Sequence, residues 1–164
     1  MAQMSTSLKD ELLGSNPVKD VLEGGYIHIY GYRTSYDWGN EVPAPPDPDL
    51  PKLFPETPSE RKYVHIVTIK DPSSGGLNFL PPDEGFLRKD PNQDWEGTVV
   101  SSGTQTAAFF LLVPPSLDDA EDIEGDDMKI VGTVGFAGTD LIFPELAMSN
   151  AETQEISFFT LTFG

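Results

Sequence analysis

The chain has 164 residues, 27 Asp and Glu against 10 Lys and Arg, a formal net charge of −17, and 15 Gly, 15 Pro and no Cys. This length fits one domain able to bury roughly 68–70% of its unfolded surface. The charge excludes non-specific nucleic-acid binding, which needs clustered cations, and also an anionic membrane surface. The absence of Cys excludes disulfides, thiolate metal sites and a Cys nucleophile, and two His leave little acid–base machinery.

In chain order, residues 1–25 read as a helical lead-in. Ser5 or Ser7 can cap a first helix carrying Leu8, Leu12 and Leu13 at helical spacing, with Gly14 as its terminator. Pro17 opens a second short helix with Val18, Val21 and Leu22 on one side, and Gly24-Gly25 stops it. Both are too short to be stable alone and must dock on this domain or on a neighbour. The first 15 residues lack the apolar core of a leader, and no run approaches 18 apolar residues. The expectation is a soluble protein that stays where it is made or is released by lysis.

From Tyr26 the apolar period changes from 3.6 to 2. Tyr26–Tyr32 reads as a strand, followed by candidates at Tyr63–Lys70, Leu77–Phe79, Gly97–Ser101, Thr104–Val113, Met128–Gly135, Asp140–Phe143 and Glu155–Phe163. Turn signals at 71–76, 81–85 and 149–150 separate them. Some seven or eight short strands without long helices predict a mainly β fold. Residues 26–164 then form a single antiparallel β-sandwich or barrel domain behind a short helical N-terminal arm.

Two segments stand outside that pattern. Residues 40–62 hold seven Pro, which favours an extended polyproline path, and Leu50, Leu53 and Phe54 interrupt its polar run. The segment reads as a semi-rigid strap carrying an apolar anchor for a partner, or as a loose loop. In the loop 114–127, seven of the ten residues 118–127 are acidic. An EF-hand alignment on Gly125 fails, because it places Ala120 and Val131 at ligand positions. The loop reads as a solvated connection whose charge discourages edge pairing.

Signatures of catalysis are missing: no G-x-S-x-G, P-loop, H-E-x-x-H or dinucleotide fingerprint occurs. His28 alternates with Ile27 and Ile29, and His65 lies between Val64 and Ile66, so both read as half-exposed strand residues. Chance pairs among 27 acids say little about a glycosidase. No enzyme and no cofactor is expected. Tyr30, Tyr32, Tyr36 and Trp38 offer an interface or a sugar platform. The two strand residues lean toward core, and Tyr36 and Trp38 toward an interface.

The order of short elements resembles a group of small structural proteins of tailed bacteriophages. It runs from Leu22-Glu23-Gly24-Gly25 and Tyr26–Tyr30 through Gly76-Leu77-Asn78-Phe79, Gly85–Lys89 and Trp95-Glu96-Gly97. It continues with Ser102-Gly103-Thr104, Gly132–Gly135 with Asp140-Leu141, and the closing strand Ile156–Phe163. Residues 33–62 depart from the resemblance with an added Pro-rich connection. The resemblance implies a non-enzymatic virion component assembled in the host cytoplasm, and no catalytic residue carries over. The expected role is capsid decoration or cement, with neck, tail or baseplate component as the alternative within the class and a carbohydrate-binding module outside it. The expected partners are the major capsid protein or other virion proteins, and further copies of the chain. Their contacts would run through Leu8, Leu12, Leu13, Val18, Leu50, Leu53, Phe54, Tyr36 and Trp38, on the N-terminal arm, the strap and the aromatic stretch.

Overall fold

The structure is a computed structural model, and it describes residues 2–13, 17–81 and 86–162. The expected helix stop at Gly14, most of the turn 81–85 and the last residue of the expected closing strand, Phe163, lie outside the described residues. The elements run β1 (Gln3–Met4), α1 (Thr6–Leu13), α2 (Val18–Leu22), β2 (Tyr26–Tyr32), β3 (Tyr63–Ile69), β4 (Phe86–Arg88) and β5 (Trp95–Thr98). They continue with β6 (Thr104–Thr106), β7 (Phe109–Val113), β8 (Ile130–Gly135), β9 (Leu141–Ile142), β10 (Ala147–Ser149), β11 (Thr153–Ile156) and β12 (Thr160–Thr162). A 3-10 turn spans Pro58–Glu60. The fold is mainly β, with 36% strand and 10% helix, as the period-2 runs predict.

The main sheet has the order β1-β8-β7-β2-β3, with β9 added beside β8 in the one parallel pairing among the described residues. At its centre β7 is a continuous apolar run, FFLLV, buried along its whole length, as a strand covered on both faces must be. One face carries Ile27, Ile29, Phe110, Leu112 and Ile130 into the larger core. Three two-stranded antiparallel ladders, β4–β12, β5–β11 and β6–β10, line that core with Leu87, Leu161, Trp95, Ile156 and Met148. Strand β5 is tied to the end of β3 by reciprocal backbone bonds between Lys70 and Glu96, both 3.0 Å. The contact is so close that a Cβ on Gly97 would lie 2.0 Å from the Thr68 carbonyl oxygen.

The strap and the acidic loop cover the opposite face. Tyr30, Tyr63, Phe109, Leu111, Val113 and Val131 form a second core with Leu53 and Phe54 from the strap and Ala120 and Ile123 from the loop. The two covering segments are joined to each other. The Leu53 amide donates to the Ile123 carbonyl (3.3 Å), and the Gly125 amide to the Pro51 carbonyl (3.1 Å). The strap is therefore a wall of this domain; an arm reaching for a partner would leave Tyr30 and Phe109 facing water. The acidic loop is only partly solvated. Its end closes over the buried Lys129 ammonium, which donates to the carbonyls of Glu124 (2.6 Å) and Asp127 (2.9 Å).

The lead-in is likewise built into the domain. β1 pairs with β8 (Gln3↔Val131, Met4↔Ile130), and Leu8 and Leu22 are fully buried in the larger core. Ser5 caps α1 by accepting from the Leu8 amide (3.3 Å). Thr6 reaches the strap, donating its amide (2.8 Å) and hydroxyl (2.7 Å) to Asp49.

Candidate functional site

An open trough of about 740 Å³ lies over β3, between His65, Thr68 and Ser101 on one side and the acidic loop on the other. It continues past Val64 and Glu121 into a groove of about 300 Å³ that holds Arg33 and Arg61.

A β-bulge builds the trough floor. The β2–β3 register runs Ile29↔Val67 and then Tyr30↔His65, so Ile66 is the extra residue. Without that slip His65 would share a face with Val67 and Ile69. With it, His65 joins His28 and Tyr30 on the second face, with ring centroids 5.8 and 5.6 Å away. Thr68, the partner of His28 across the ladder, then touches both imidazoles. Its Oγ1 lies 2.7 Å from His28 Nδ1 and 2.9 Å from His65 Nε2.

The bonding directions follow from one fixed acceptor. His28 Nε2 is 2.8 Å from the Leu117 carbonyl, which can only accept, so Nε2 carries the hydrogen. With His28 neutral, Nδ1 accepts, Thr68 donates to it, and His65 Nε2 donates to Thr68. Burial holds His28 below its ordinary range, against the Leu117 bond and the attraction of Asp119 and Asp118. Burial first, and repulsion from His28 second, push His65 down to about 4. His28, fully buried, is not the half-exposed strand residue expected from alternation. The chain fastens the start of the acidic loop to the sheet, and burial keeps both rings neutral at pH 7.

The aromatic stretch is engaged with itself. Trp38 meets Tyr36 edge to face at 4.9 Å and Tyr32 at 5.8 Å, and its Nε1 donates to the Arg33 carbonyl (3.1 Å). The Lys62 ammonium lies 5.6 Å from the Tyr36 ring centre and 5.8 Å from that of Trp38, and pairs with Glu41 at 2.8 Å. These rings pack edge to face and form no coplanar platform. Tyr63 beneath them is pushed up to about 12, first by burial.

The residues assigned to partner contact divide sharply. Leu8, Leu53 and Phe54 are buried within the chain, and Leu12, Val18 and Trp38 pack against its two cores. Tyr36 is half-buried. Leu13 (85% exposed) and Leu50 (36%) remain at the surface. Sequence reasoning did not single out Phe136 (64%), Ile142 (60%) or Phe158 (79%), which lie exposed on the surface. Gly135 pairs with Ile142, which places Phe136 one residue beyond that pair, past the end of β8. The intervening turn is braced where the Thr133 amide donates to Asp140 (2.9 Å) and the Asp140 amide to Thr133 Oγ1 (3.3 Å).

Among the described residues, no three His, Asp or Glu stand close enough together to hold a metal ion, and no helix is long and apolar enough to cross a membrane. Compared with family models, with curated proteins and with solved structures, the chain matches none.

Proposed function

We propose that this chain is a non-enzymatic structural subunit of a tailed-bacteriophage virion, a capsid decoration or cement protein. It binds the major capsid protein or other virion proteins, and further copies of itself. The observation that carries the reading is the exposure of Phe136 and Ile142 on either side of the turn closed by Thr133 and Asp140, on a protein of net charge −17. Large apolar side chains exposed to water are characteristic of surfaces covered in an assembly. The order of elements that resembles small phage structural proteins supplies the particle. The bridging role moves from the strap to Leu13 and the Phe136–Ile142 edge, because Leu53 and Phe54 are committed to the second core. The acidic surface suits the outside of a shell, where repulsion keeps particles apart.

The test compares virions carrying the native chain with virions carrying Phe136→Ser/Ile142→Ser. Electron microscopy should place the native chain on the shell in lattice-matched copy number, and the double variant, folded normally, should be depleted. A low symmetric copy number at one vertex moves the role to the neck or tail. Absence from purified particles overturns the reading.

A further inference from the structure

The Arg33–Arg61 groove supports a conclusion independent of any virion role. We propose that it binds a small hydroxylated carboxylate, such as a sugar acid. In a chain with 27 acidic residues and three Arg, two Arg converge on one groove. Lysines find carboxylates, as in Lys19–Glu23 (2.5 Å) and Lys62–Glu41 (2.8 Å), whereas neither Arg33 nor Arg61 forms an ion pair among the described residues. Backbone carbonyls orient both instead. Arg33 Nη1 donates to the carbonyls of Pro58 and Arg61 (the latter 3.3 Å), and Arg61 Nε donates to that of Pro55 (2.7 Å). These anchors leave both terminal nitrogens of Arg61 without a protein partner among the described residues. Two guanidinium forks positioned in advance suit the bidentate geometry of a carboxylate.

The rest of the groove sets the class of ligand. Thr34, Ser35 and Gln105 line it with small donors and acceptors, and Glu121 contributes a carboxylate. An acceptor-only group beside an anion site disfavours dense charge such as free phosphate and favours a ligand whose hydroxyls can donate to it. A carboxylate at the arginines and a hydroxyl at Glu121 satisfy both ends. The volume, about 300 Å³, lies at the lower end for small-molecule sites.

The test is NMR of the arginine Nε–H groups in the intact protein, titrated separately with glucuronate, acetate, glucose and inorganic phosphate at equal ionic strength. Saturable shifts of Arg33 and Arg61 are expected with glucuronate, at least about tenfold tighter than with acetate or glucose. Arg61→Gln should weaken glucuronate about tenfold, Arg61→Lys by less because the charge remains, and Lys9→Gln on α1 not at all. Shifts with glucuronate no larger than with acetate overturn the proposal, as does tighter binding of phosphate. An Arg61→Gln protein with native thermal midpoint and unchanged glucuronate binding also overturns it.

Discussion

The Tyr30 phenol donates a 2.7 Å hydrogen bond to the carbonyl of Ala120, 90 residues away, joining the most buried tyrosine of the sheet to the middle of the acidic loop. Burial raises this phenol's pKa well above its ordinary value, which keeps it a donor at neutral pH. Tyr30→Phe keeps the ring stacked on Phe109 and strands the Ala120 carbonyl. A loss of about 1–3 kcal/mol in urea unfolding is expected, with faster amide exchange in residues 118–123.

Acid should weaken the fold as pH falls below 6.5. Both imidazoles titrate lower in the folded chain than in the unfolded chain, His65 at about 4 against 6.5. Below pH 6.5 the unfolded chain takes up protons that the folded chain refuses. Stability is therefore complete above that pH and falls as pH drops toward 4. For His65 alone the loss should reach roughly 2 kcal/mol by about pH 5. Urea midpoints between pH 7.5 and 5 measure it, and His65→Gln should flatten the slope.

Ser5 supports two elements with one oxygen, accepting from the amides of Leu8 (3.3 Å) and Lys129 (3.0 Å). Ser5→Ala removes a helix cap and leaves a buried amide unpaired. The two effects together should cost about 2–3 kcal/mol. A shift of only a few tenths in chemical denaturation would mean that the lead-in contributes little to the domain.

Gly97→Ala should be among the most damaging single-methyl additions. The new Cβ would sit 2.0 Å from the Thr68 oxygen, a backbone atom that moves only if β3 moves. Separation of β5 from β3 should cost about 3 kcal/mol or more and raise the solvent exposure of Trp95, read by its fluorescence.

Phe54 and Leu13 test the division between interior and surface. Phe54→Ala should destabilise by about 3 kcal/mol and speed exchange across 118–127, because the strap and loop share the second core. Leu13→Ala, at an exposed position, should change stability by less than about 0.5 kcal/mol.

The strands with strong alternation were readable from sequence because their pattern carries its own burial. Tyr26–Tyr32 coincides with β2, and Met128–Gly135 contains β8. Thr104–Val113 splits into β6 and β7 where the Ala108 amide turns to the Tyr30 carbonyl, a change of partner that alternation does not encode. β1, β4 and β10 are two or three residues long and exist through their partners. His65 was unreadable for a sharper reason. One bulge residue in the middle of β3 reverses which side chains share its face, and nothing in YVHIVTI announces it. The strap's role was hidden because Leu53 and Phe54 read identically whether they cover this chain's sheet or another's. Ala120 and Ile123, three residues apart among carboxylates, were the overlooked sign that one side of the acidic loop turns inward.

The bonding of strap to loop also dictates how the molecule comes apart. Each holds the other at Leu53–Ile123 and Pro51–Gly125, so they leave the sheet as one piece or stay as one piece. Seven carboxylates crowd the loop half of that piece, and their mutual repulsion grows as salt is withdrawn. In dilute buffer that repulsion favours peeling of this flap from the sheet. What it bares is a row of aromatic and aliphatic side chains on paired strands, centred on Phe109. Aggregation in storage would start from that half-open form, and modest salt would act as the preservative.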